Sequence, residues 1–221
     1  MHEDFIPKEY IPVFNSQAIE MFLHKIPGLS EKFLYANDDT YFVGDMKPED
    51  FFDKEKVRTS FSRWKYGSED DMPLWKRAII NSSLLTNKQE TEMLKAENSY
   101  IVPMHGIRPY LRSKIEEAYN KHQQEILNSI SIFRDRKNLT VYLYDFYLRK
   151  LGLTLEKQYL FVYFSSLSPV GLVCTALINP HEYKTICIND TKEEEDKKRT
   201  ELIAQYFDSQ LPKQSKYEKI M

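Results

Sequence analysis

The chain has 221 residues, enough for one ordinary domain with a sizeable hydrophobic core. Its 31 Lys and Arg residues against 33 Asp and Glu residues leave a net charge of -2, without the basic excess of a dedicated nucleic-acid binder. Glycine occurs only 6 times, and neither a GxGxxG motif nor a Walker-type phosphate loop is present. We therefore expect no nucleic-acid partner and no glycine-rich nucleotide loop.

The sequence shows no pattern of membrane insertion or export. No apolar run approaches the roughly 20 residues that a bilayer span needs, and Met1–Phe5 lacks the basic and apolar parts of a signal peptide. The two cysteines, Cys174 and Cys187, lie in apolar segments without a CxxC motif, which favours buried reduced thiols. We expect a cytoplasmic protein with no transmembrane segment.

In chain order, predicted helices and strands alternate through the first two-thirds. Ser16 is placed to cap a helix whose apolar residues follow 3.6-residue spacing and which Pro27-Gly28 ends. Pro48 stands at a predicted helix start. The hydrophobic pattern predicts strands over 33–36, 41–43 and 99–104, and helices over 75–85, 88–98, 109–119 and 139–151.

The last third is richer in strand-forming residues. Its apolar runs predict strands over 158–164, 170–178 and 183–188. Thr191 and Glu194 have the spacing of a capping box, which predicts a helix to about Phe207. Polar clusters follow several predicted strands, where open α/β sheets bind ligands. We predict an α/β fold: a layered, mostly parallel or mixed sheet with flanking helices.

The sharpest polar cluster is Asn37-Asp38-Asp39, directly after the predicted strand 33–36. Two adjacent carboxylates repel each other, and a divalent cation relieves that repulsion. Oxygen ligands suit Mg²⁺, Mn²⁺ or Ca²⁺. The alternative is a solvated turn, because Asn and Asp favour turns. Residue types alone leave both interpretations open.

A second acidic pair, Asn189-Asp190, has the same placement after the predicted strand 183–188. Two roles fit Asp190. It is a candidate ligand for the same cation as Asp39, and it is also placed to help cap the helix that begins near Thr191. Sequence alone does not bring the two acidic turns together.

Basic and titratable residues mark the middle of the chain. His105 lies in a turn after the predicted strand 99–104 and is a candidate general base, although a lone histidine is more often structural. Arg112 lies in the next predicted helix. Arg134 belongs to a basic turn before the predicted helix 139–151. Its guanidinium fits a phosphate group, whereas a solvated charge cluster is the ordinary alternative.

Many of these residues stand in an order that resembles the Stealth family, which contains bacterial capsular polysaccharide phosphotransferases and the eukaryotic lysosomal-enzyme N-acetylglucosamine-1-phosphotransferase. The segments similar to its second conserved region are 14–20, 23–35, 37–39 and 48–52. The segments similar to its fourth conserved region are 186–191, 211–212 and 215–218.

The third conserved region of the family is also recognisable. His105, Arg112 and Arg134 fall where the family has one histidine and two arginines, and an aromatic helix follows at Val141–Leu151. The family usually has an acidic residue at the position of Asn138. On this resemblance, residues 1–221 are a single portion of a Stealth-type sugar-phosphotransferase domain. Its second-, third- and fourth-region parts are residues 1–55, 100–152 and 183–221.

The resemblance implies transfer of a sugar-1-phosphate from a nucleotide-diphosphate sugar to a hydroxyl of a capsular or exopolysaccharide. The family motifs give catalytic roles to Asp38, Asp39, His105, Arg134 and Asp190, and substrate-binding roles to Asn37, Arg112 and Asn189. A divalent metal, Mg²⁺ or Mn²⁺, would bind Asp39 and Asp190. His105 would take the hydroxyl proton, and Arg134 would hold charge on phosphorus. The implied location is the cytoplasm, at the inner face of the cell membrane with the capsule machinery.

The first conserved region of the family has no counterpart in this sequence. We therefore expect the C-terminal part of a family member, in a nucleotide-sugar-transferase-like fold that is truncated at its N-terminus and inactive or nearly so alone. The alternative function is a non-catalytic fragment, or half of a split enzyme whose partner chain supplies the missing strands. A third possible function is that of an ordinary metal-dependent glycosyltransferase, which would release nucleoside diphosphate.

The sequence also predicts how the site is assembled. We expect Asn37-Asp38-Asp39, His105, Arg134 and Asn189-Asp190 to converge on one pocket, because all of them lie at strand ends or turns of the matched segments. The helix from Thr191 should point its N-terminus toward that pocket, where its dipole favours phosphate.

Overall fold

The computed structural model describes residues 1–68, 71–156, 161–165, 184–189, 201, 204–205 and 207–209. The chain divides into two compact units. The larger unit is formed by Met1–Tyr35 with Lys47–Gln158, and the smaller unit by Ala36–Met46 with Tyr159–Met221. Within the described residues, no helix is both long enough and apolar enough to span a bilayer.

Helices and strands are interleaved along the chain. The strands are β1 Lys32–Tyr35, β2 Thr40–Phe42, β3 Phe52–Asp53, β4 Lys56–Thr59, β5 Phe61–Lys65, β6 Ser99–Pro103, β7 Arg108–Leu111, β8 Thr154–Glu156, β9 Phe161–Ser165 and β10 Thr185–Asn189. The α-helices are α1 Ser16–Glu20, α2 Pro48–Phe51, α3 Leu74–Thr86, α4 Lys88–Ala96, α5 Arg112–Lys121, α6 Gln123–Ser129 and α7 Tyr142–Lys150. Short 3₁₀ turns lie at His2–Asp4, Lys8–Tyr10 and Leu23–Lys25.

The larger unit combines small sheets with a helical core. β1 pairs antiparallel with β7, so that Tyr35 lies opposite Arg108. β5 pairs antiparallel with β6, and β4 lies between antiparallel β3 and parallel β8. This mixture of parallel and antiparallel pairs with flanking helices confirms the predicted α/β class with mixed sheets.

Helix α7 forms the centre of the core in the larger unit. Its aromatic and aliphatic side chains are buried on every face, and α3 packs against it. A helix that is apolar all round belongs inside a protein, because each such side chain contributes about 1.5–3 kcal/mol when fully buried. The polar residue in this run, Asp145, is buried with the others.

The described part of the smaller unit is a three-stranded sheet with β10 in the middle. β10 pairs antiparallel with β2 and parallel with β9. Ile186 and Cys187 in β10 are completely buried. The central strand therefore places the acidic turn before β2 beside its own carboxyl end.

Two local predictions were wrong, and both have a physical reason. The pattern 109–119 predicted one helix, but Arg108–Leu111 form β7 and the helix begins at Arg112. Proline disfavours helical backbone at the residue before it, and β1 supplies the hydrogen bonds for a strand. The cap of α1 is Asn15, whose side chain accepts a hydrogen bond of 3.2 Å from the Gln17 amide, and Ser16 is the first helical residue.

Other predictions agree with the structure or fall outside it. The helices predicted over 75–85, 88–98 and 139–151 correspond to α3, α4 and α7, and the strand over 99–104 corresponds to β6. The predicted strand 170–178 and the capped start of the helix at Thr191 lie outside the described residues.

Candidate functional site

The acidic turn predicted from the sequence is present in the smaller unit, between β1 and β2. Thr40 donates two hydrogen bonds to the Asn37 carbonyl, from its amide at 3.1 Å and its hydroxyl at 2.7 Å. These bonds close a tight turn over Asp38 and Asp39. The backbone that carries the two adjacent acidic residues is thus held in a tight turn before β2.

Asp39 is joined to the carboxyl end of β10. The Ile188 amide donates to the Asp39 carbonyl at 2.8 Å, and the Cys187 thiol lies 3.2 Å from Asp39 Oδ2. Burial, together with the bond to Asp39, raises the pKa of the Cys187 thiol, so it stays protonated and donates to the carboxylate. Asn189 ends β10, and Asp190 lies outside the described residues.

This donor set fits a hard divalent cation. Asp38 and Asp39 offer carboxylate oxygens from one turn, which are the ligands that Mg²⁺ and Mn²⁺ take. The Asp39 carbonyl is bound by the amide of Ile188, the residue before Asn189. Asp190 comes next in the sequence after Asn189, where β10 ends.

His105 lies in the larger unit, in the loop that follows β6. Its Nδ1 is 3.1 Å from the hydroxyl of Tyr142, the first residue of α7. A histidine held through one ring nitrogen has a defined orientation, and the partner of Nδ1 determines which nitrogen exchanges a proton. The structure thus gives the predicted general base a positioning contact.

Arg108 contacts the ring of Tyr142, the partner of His105, and is 2% exposed. Its guanidinium carbon is 4.3 Å from the ring centroid of Tyr142 and 5.0 Å from that of Tyr35. Its Nε and Nη1 are buried and have no hydrogen-bond partner among the residues that the structure describes. The positive charge is therefore held by aromatic faces and by longer-range carboxylates.

Asp145 provides one of those carboxylates. It is buried in α7 and accepts a hydrogen bond of 2.6 Å from the Tyr110 hydroxyl. Burial raises the pKa of Asp145 to about 6, although Arg108 and the Tyr110 hydrogen bond oppose the rise. A buried carboxyl with this pKa titrates about two pH units above the ordinary range of an aspartate.

Glu20 connects this buried region to Arg134. The Tyr35 hydroxyl donates to Glu20 Oε1 at 2.8 Å. Burial raises the pKa of Glu20, while the Tyr35 hydrogen bond and the charges of Arg108 and Arg134 act in the opposite direction. Arg134 is exposed, with Nη2 3.5 Å from the Ser16 hydroxyl. Within the larger unit, Glu20 thus interacts with Arg134 and also with Arg108, which contacts the Tyr142 ring next to His105.

Arg112 has a different environment. It begins α5 and forms an exposed ion pair of 3.7 Å with Glu116, one turn further along the helix. Exposed pairs of this kind contribute little to stability. Its predicted role in substrate binding stays a prediction, as does convergence of the acidic turns with His105 and Arg134.

The half-buried Glu20 and the buried Arg108 and Asp145 were not predicted from the sequence. A signal for two of them was available. Asp145 is the one acidic residue in the aromatic run Val141–Leu151, and Arg108 lies in the mainly apolar segment 107–111. Charged residues are almost never fully buried without a partner, so a lone charge in an apolar run indicates a buried polar site.

Comparison with known proteins places both acidic turns in matched regions. Residues 1–60 match the family model for Stealth protein CR2, conserved region 2, and residues 176–220 match that for Stealth protein CR4, conserved region 4. A capsular polysaccharide phosphotransferase of Actinobacillus pleuropneumoniae is 32% identical over 177 residues, which cover 77% of this chain and 48% of that protein.

Two streptococcal relatives are similar over different lengths. A receptor polysaccharide phosphotransferase of Streptococcus oralis is 28% identical over 244 aligned residues, covering 98% of this chain and 73% of the relative. A capsular polysaccharide phosphotransferase of Streptococcus thermophilus is 60% identical over 57 residues, or 26% of this chain and 24% of the relative. The chain spans about half the length of the Actinobacillus pleuropneumoniae protein, and less of several other relatives.

Proposed function

Because the chain belongs to the Stealth family, we propose that it transfers a sugar-1-phosphate from a nucleotide-diphosphate sugar to a hydroxyl of a capsular or exopolysaccharide. The observation that carries this proposal is the acidic turn Asn37-Asp38-Asp39, fixed to β10 inside the matched regions. The relatives are named as capsular, receptor or exopolysaccharide phosphotransferases. We propose that the reaction takes place in the cytoplasm, at the inner face of the cell membrane with the capsule machinery.

The proposed reaction is a substitution at the sugar-bearing phosphorus. The acceptor oxygen forms a new P–O bond, and the bond from that phosphorus to the bridging oxygen of the pyrophosphate breaks. The hydroxyl proton passes to the enzyme, and nucleoside monophosphate leaves. The product is a phosphodiester that links the incoming sugar to the polysaccharide.

The acidic turns would hold the pyrophosphate through a cation. Asp39 and Asp190 are the proposed ligands of Mg²⁺ or Mn²⁺, with Asp38 beside them. When bound, the metal would neutralise negative charge on the phosphates. Asn37 and Asn189 are proposed to orient substrate oxygens by hydrogen bonds.

His105 is the proposed acceptor of the hydroxyl proton. Its Nδ1 is engaged by the Tyr142 hydroxyl at 3.1 Å, and we propose that Nε2 is the nitrogen that takes the proton. In this tautomer Nδ1–H donates to Tyr142. The phenol then fixes the ring orientation before the substrate arrives.

Arg134 is the proposed group that stabilises charge on the transferred phosphorus, with Arg112 as a further substrate-binding arginine. An exposed guanidinium offers paired N–H donors that match phosphate oxygens. Glu20 lies within the field of Arg134, and its carboxylate limits the positive charge when no phosphate is bound. Such fixed charges favour the reaction because they need no rearrangement during it.

The metal site can be tested with Asp39→Asn. This substitution removes one anionic ligand, so we expect at least tenfold weaker binding of Mn²⁺, followed by electron paramagnetic resonance of the free ion. Release of nucleoside monophosphate from a panel of labelled nucleotide sugars should fall about 100-fold or more. Asp45→Asn is the matched control, since Asp45 is an exposed carboxylate of the same unit. Equal Mn²⁺ affinity in both variants would remove Asp39 from the site.

A further inference from the structure

Two phenylalanines stand exposed beside Arg134 in the larger unit. Phe14 and Phe133 each leave 70% of their surface exposed, and their rings stack at 19° with centroids 5.7 Å apart. Ile132 is 50% exposed, and its carbonyl accepts a hydrogen bond of 2.9 Å from the Phe14 amide. We call Phe14, Ile132 and Phe133 the phenylalanine ridge. Exposed apolar groups that cluster in this way mark interaction surfaces.

A buried amide holds the ridge in place. Asn138, 1% exposed, accepts hydrogen bonds from Asn15 Nδ2 at 3.0 Å and from the Asp135 amide at 2.5 Å. It donates to the Ser129 carbonyl at 2.6 Å and to the Ser131 hydroxyl at 2.7 Å. All of its donors and acceptors are used, and its partners flank both phenylalanines in sequence. The exposed rings therefore stand on a preorganised support, which lowers the entropy cost of binding.

The ridge continues into a cationic turn. Arg134, Arg136 and Lys137 are exposed, and they carry three positive charges against the one negative charge of Asp135. Asp135 Oδ1 accepts from the Lys137 amide at 3.0 Å, so part of its acceptor capacity is used within the turn. An apolar surface beside a net positive turn fits a ligand that presents apolar and anionic groups in succession.

A phosphodiester-linked polysaccharide has that alternation. The C–H faces of its sugar rings can lie on phenyl rings, and its phosphates can meet guanidinium and ammonium groups. A nucleotide also combines a ring with phosphate, but small ligands bind in concave sites that bury most of their surface. Rings with 70% of their surface exposed cannot enclose one. A long polymer, by contrast, binds along an open surface through repeated contacts.

We propose that the phenylalanine ridge and the turn 134–137 bind the anionic polysaccharide acceptor and hold its end near Arg134. This inference rests on the proposed function for the identity of the polymer. It adds an acceptor-binding surface to the larger unit, formed by residues other than those of the acidic turns. The ridge would raise the affinity for long acceptors without a role in the bond-making step.

Binding can be measured without turnover. Isothermal titration of the whole chain with phosphodiester-containing capsular oligosaccharides should give a Kd that rises about tenfold in Phe14→Ala/Phe133→Ala. Phe14→Leu/Phe133→Leu should weaken binding in the same direction, since leucine retains apolar volume but not the ring face. Met93→Ala, at a 65% exposed residue of α4, is the matched control and should leave Kd unchanged. Arg136→Ala/Lys137→Ala should weaken binding and flatten its dependence on salt.

Other occupants give different results with the same variants. The ridge proposal is contradicted if the alanine and leucine pairs leave oligosaccharide Kd within twofold of the starting protein. It is equally contradicted if they instead weaken binding of nucleoside monophosphates, binding to phosphatidylglycerol vesicles, or self-association in sedimentation. Oligosaccharide binding through the ridge with no release of nucleoside monophosphate would refute the proposed reaction alone. Turnover and oligosaccharide binding that ignore the ridge would refute this inference alone.

Discussion

The Tyr142 hydroxyl lies 3.1 Å from Nδ1 of His105, and its removal separates positioning from binding. We expect Tyr142→Phe to lower kcat for nucleoside monophosphate release about tenfold, because His105 loses the bond that fixes its tautomer, while KM for the donor stays unchanged. The control is Tyr144→Phe in the same helix, where the hydroxyl donates to the Met21 carbonyl at 2.6 Å. Equal losses of kcat in both variants would show a general effect of helix α7.

Asp145 predicts a pH dependence of stability. Its folded pKa of about 6 lies above the ordinary value near 3.9, so the folded state binds a proton more readily. The free energy of unfolding should therefore fall as pH rises from about 4 to 6, by roughly 3 kcal/mol from this group. Asp145→Asn cannot titrate, so its stability relative to the starting protein should increase over this range. Urea unfolding at several pH values measures the difference.

The control for this pH effect is Asp53→Asn, which changes an exposed carboxylate in the same unit. Its stability should follow that of the starting protein across the range. Parallel curves for Asp145→Asn and the starting protein between pH 4 and 6 would contradict a raised pKa at Asp145.

Single residues also show where sequence reasoning stopped. Asp38, Asp39, His105 and Arg134 were predicted as site residues because their residue types, positions after strands or turns, and family resemblance agreed, and their roles stay predictions. Arg108 was not selected, because its role depends on rings contributed by β1 and α7, which are distant in sequence. Contacts between residues distant in sequence bring Arg108 and the two rings together, and the local sequence pattern does not predict those contacts.

At the scale of elements, the loop between α6 and α7 depends on Asn138. We expect Asn138→Asp to lower the free energy of unfolding by about 2–4 kcal/mol, because a carboxylate cannot donate to the Ser129 carbonyl and the Ser131 hydroxyl. Chemical denaturation measures this loss. Asn128→Asp, on the exposed side of α6, is the control and should change stability by less than about 0.5 kcal/mol.

The same substitution tests the resemblance, since the family usually has an acidic residue at this position. In this chain Asn15 and Asp135 already donate to the Asn138 oxygen, and the amide nitrogen serves two acceptors. Unchanged stability of Asn138→Asp would mean that the network reorganises around an acid, contrary to its complete saturation here.

Elements with a long local signal were predicted from the sequence. Helices α3, α4 and α7 run for nine residues or more, and their apolar spacing or composition is visible without a partner. Strands β3, β4 and β5 were not predicted, because each is short and is defined by pairing. Strand β7 was mistaken for helix because its pairing with β1 overrides a helical pattern that resumes at Arg112.

At the scale of the molecule, the α/β class with mixed sheets followed from the alternation of predicted helices and strands. The division into two units did not follow, because the segment 36–46 leaves one unit and joins residues more than 100 positions later in the chain. The site residues were proposed from both segments. Whether these residues come together depends on contacts between distant parts of the chain, which neither composition nor periodicity predicts.

In the proposed reaction the phosphate travels with the sugar, which distinguishes it from ordinary glycosyl transfer. The test is to incubate the purified chain with Mg²⁺, a polysaccharide acceptor and a panel of nucleotide sugars that carry ³²P in the phosphate attached to the sugar. A capsular phosphotransferase of Actinobacillus pleuropneumoniae serves as the positive control. We expect ³²P to enter the polymer as phosphodiester, with one unlabelled nucleoside monophosphate released for each sugar added, a result that would also overturn the expectation that the chain alone is inactive. Sugar incorporation with all ³²P left on nucleoside diphosphate would contradict the proposed reaction and would identify an ordinary glycosyltransferase.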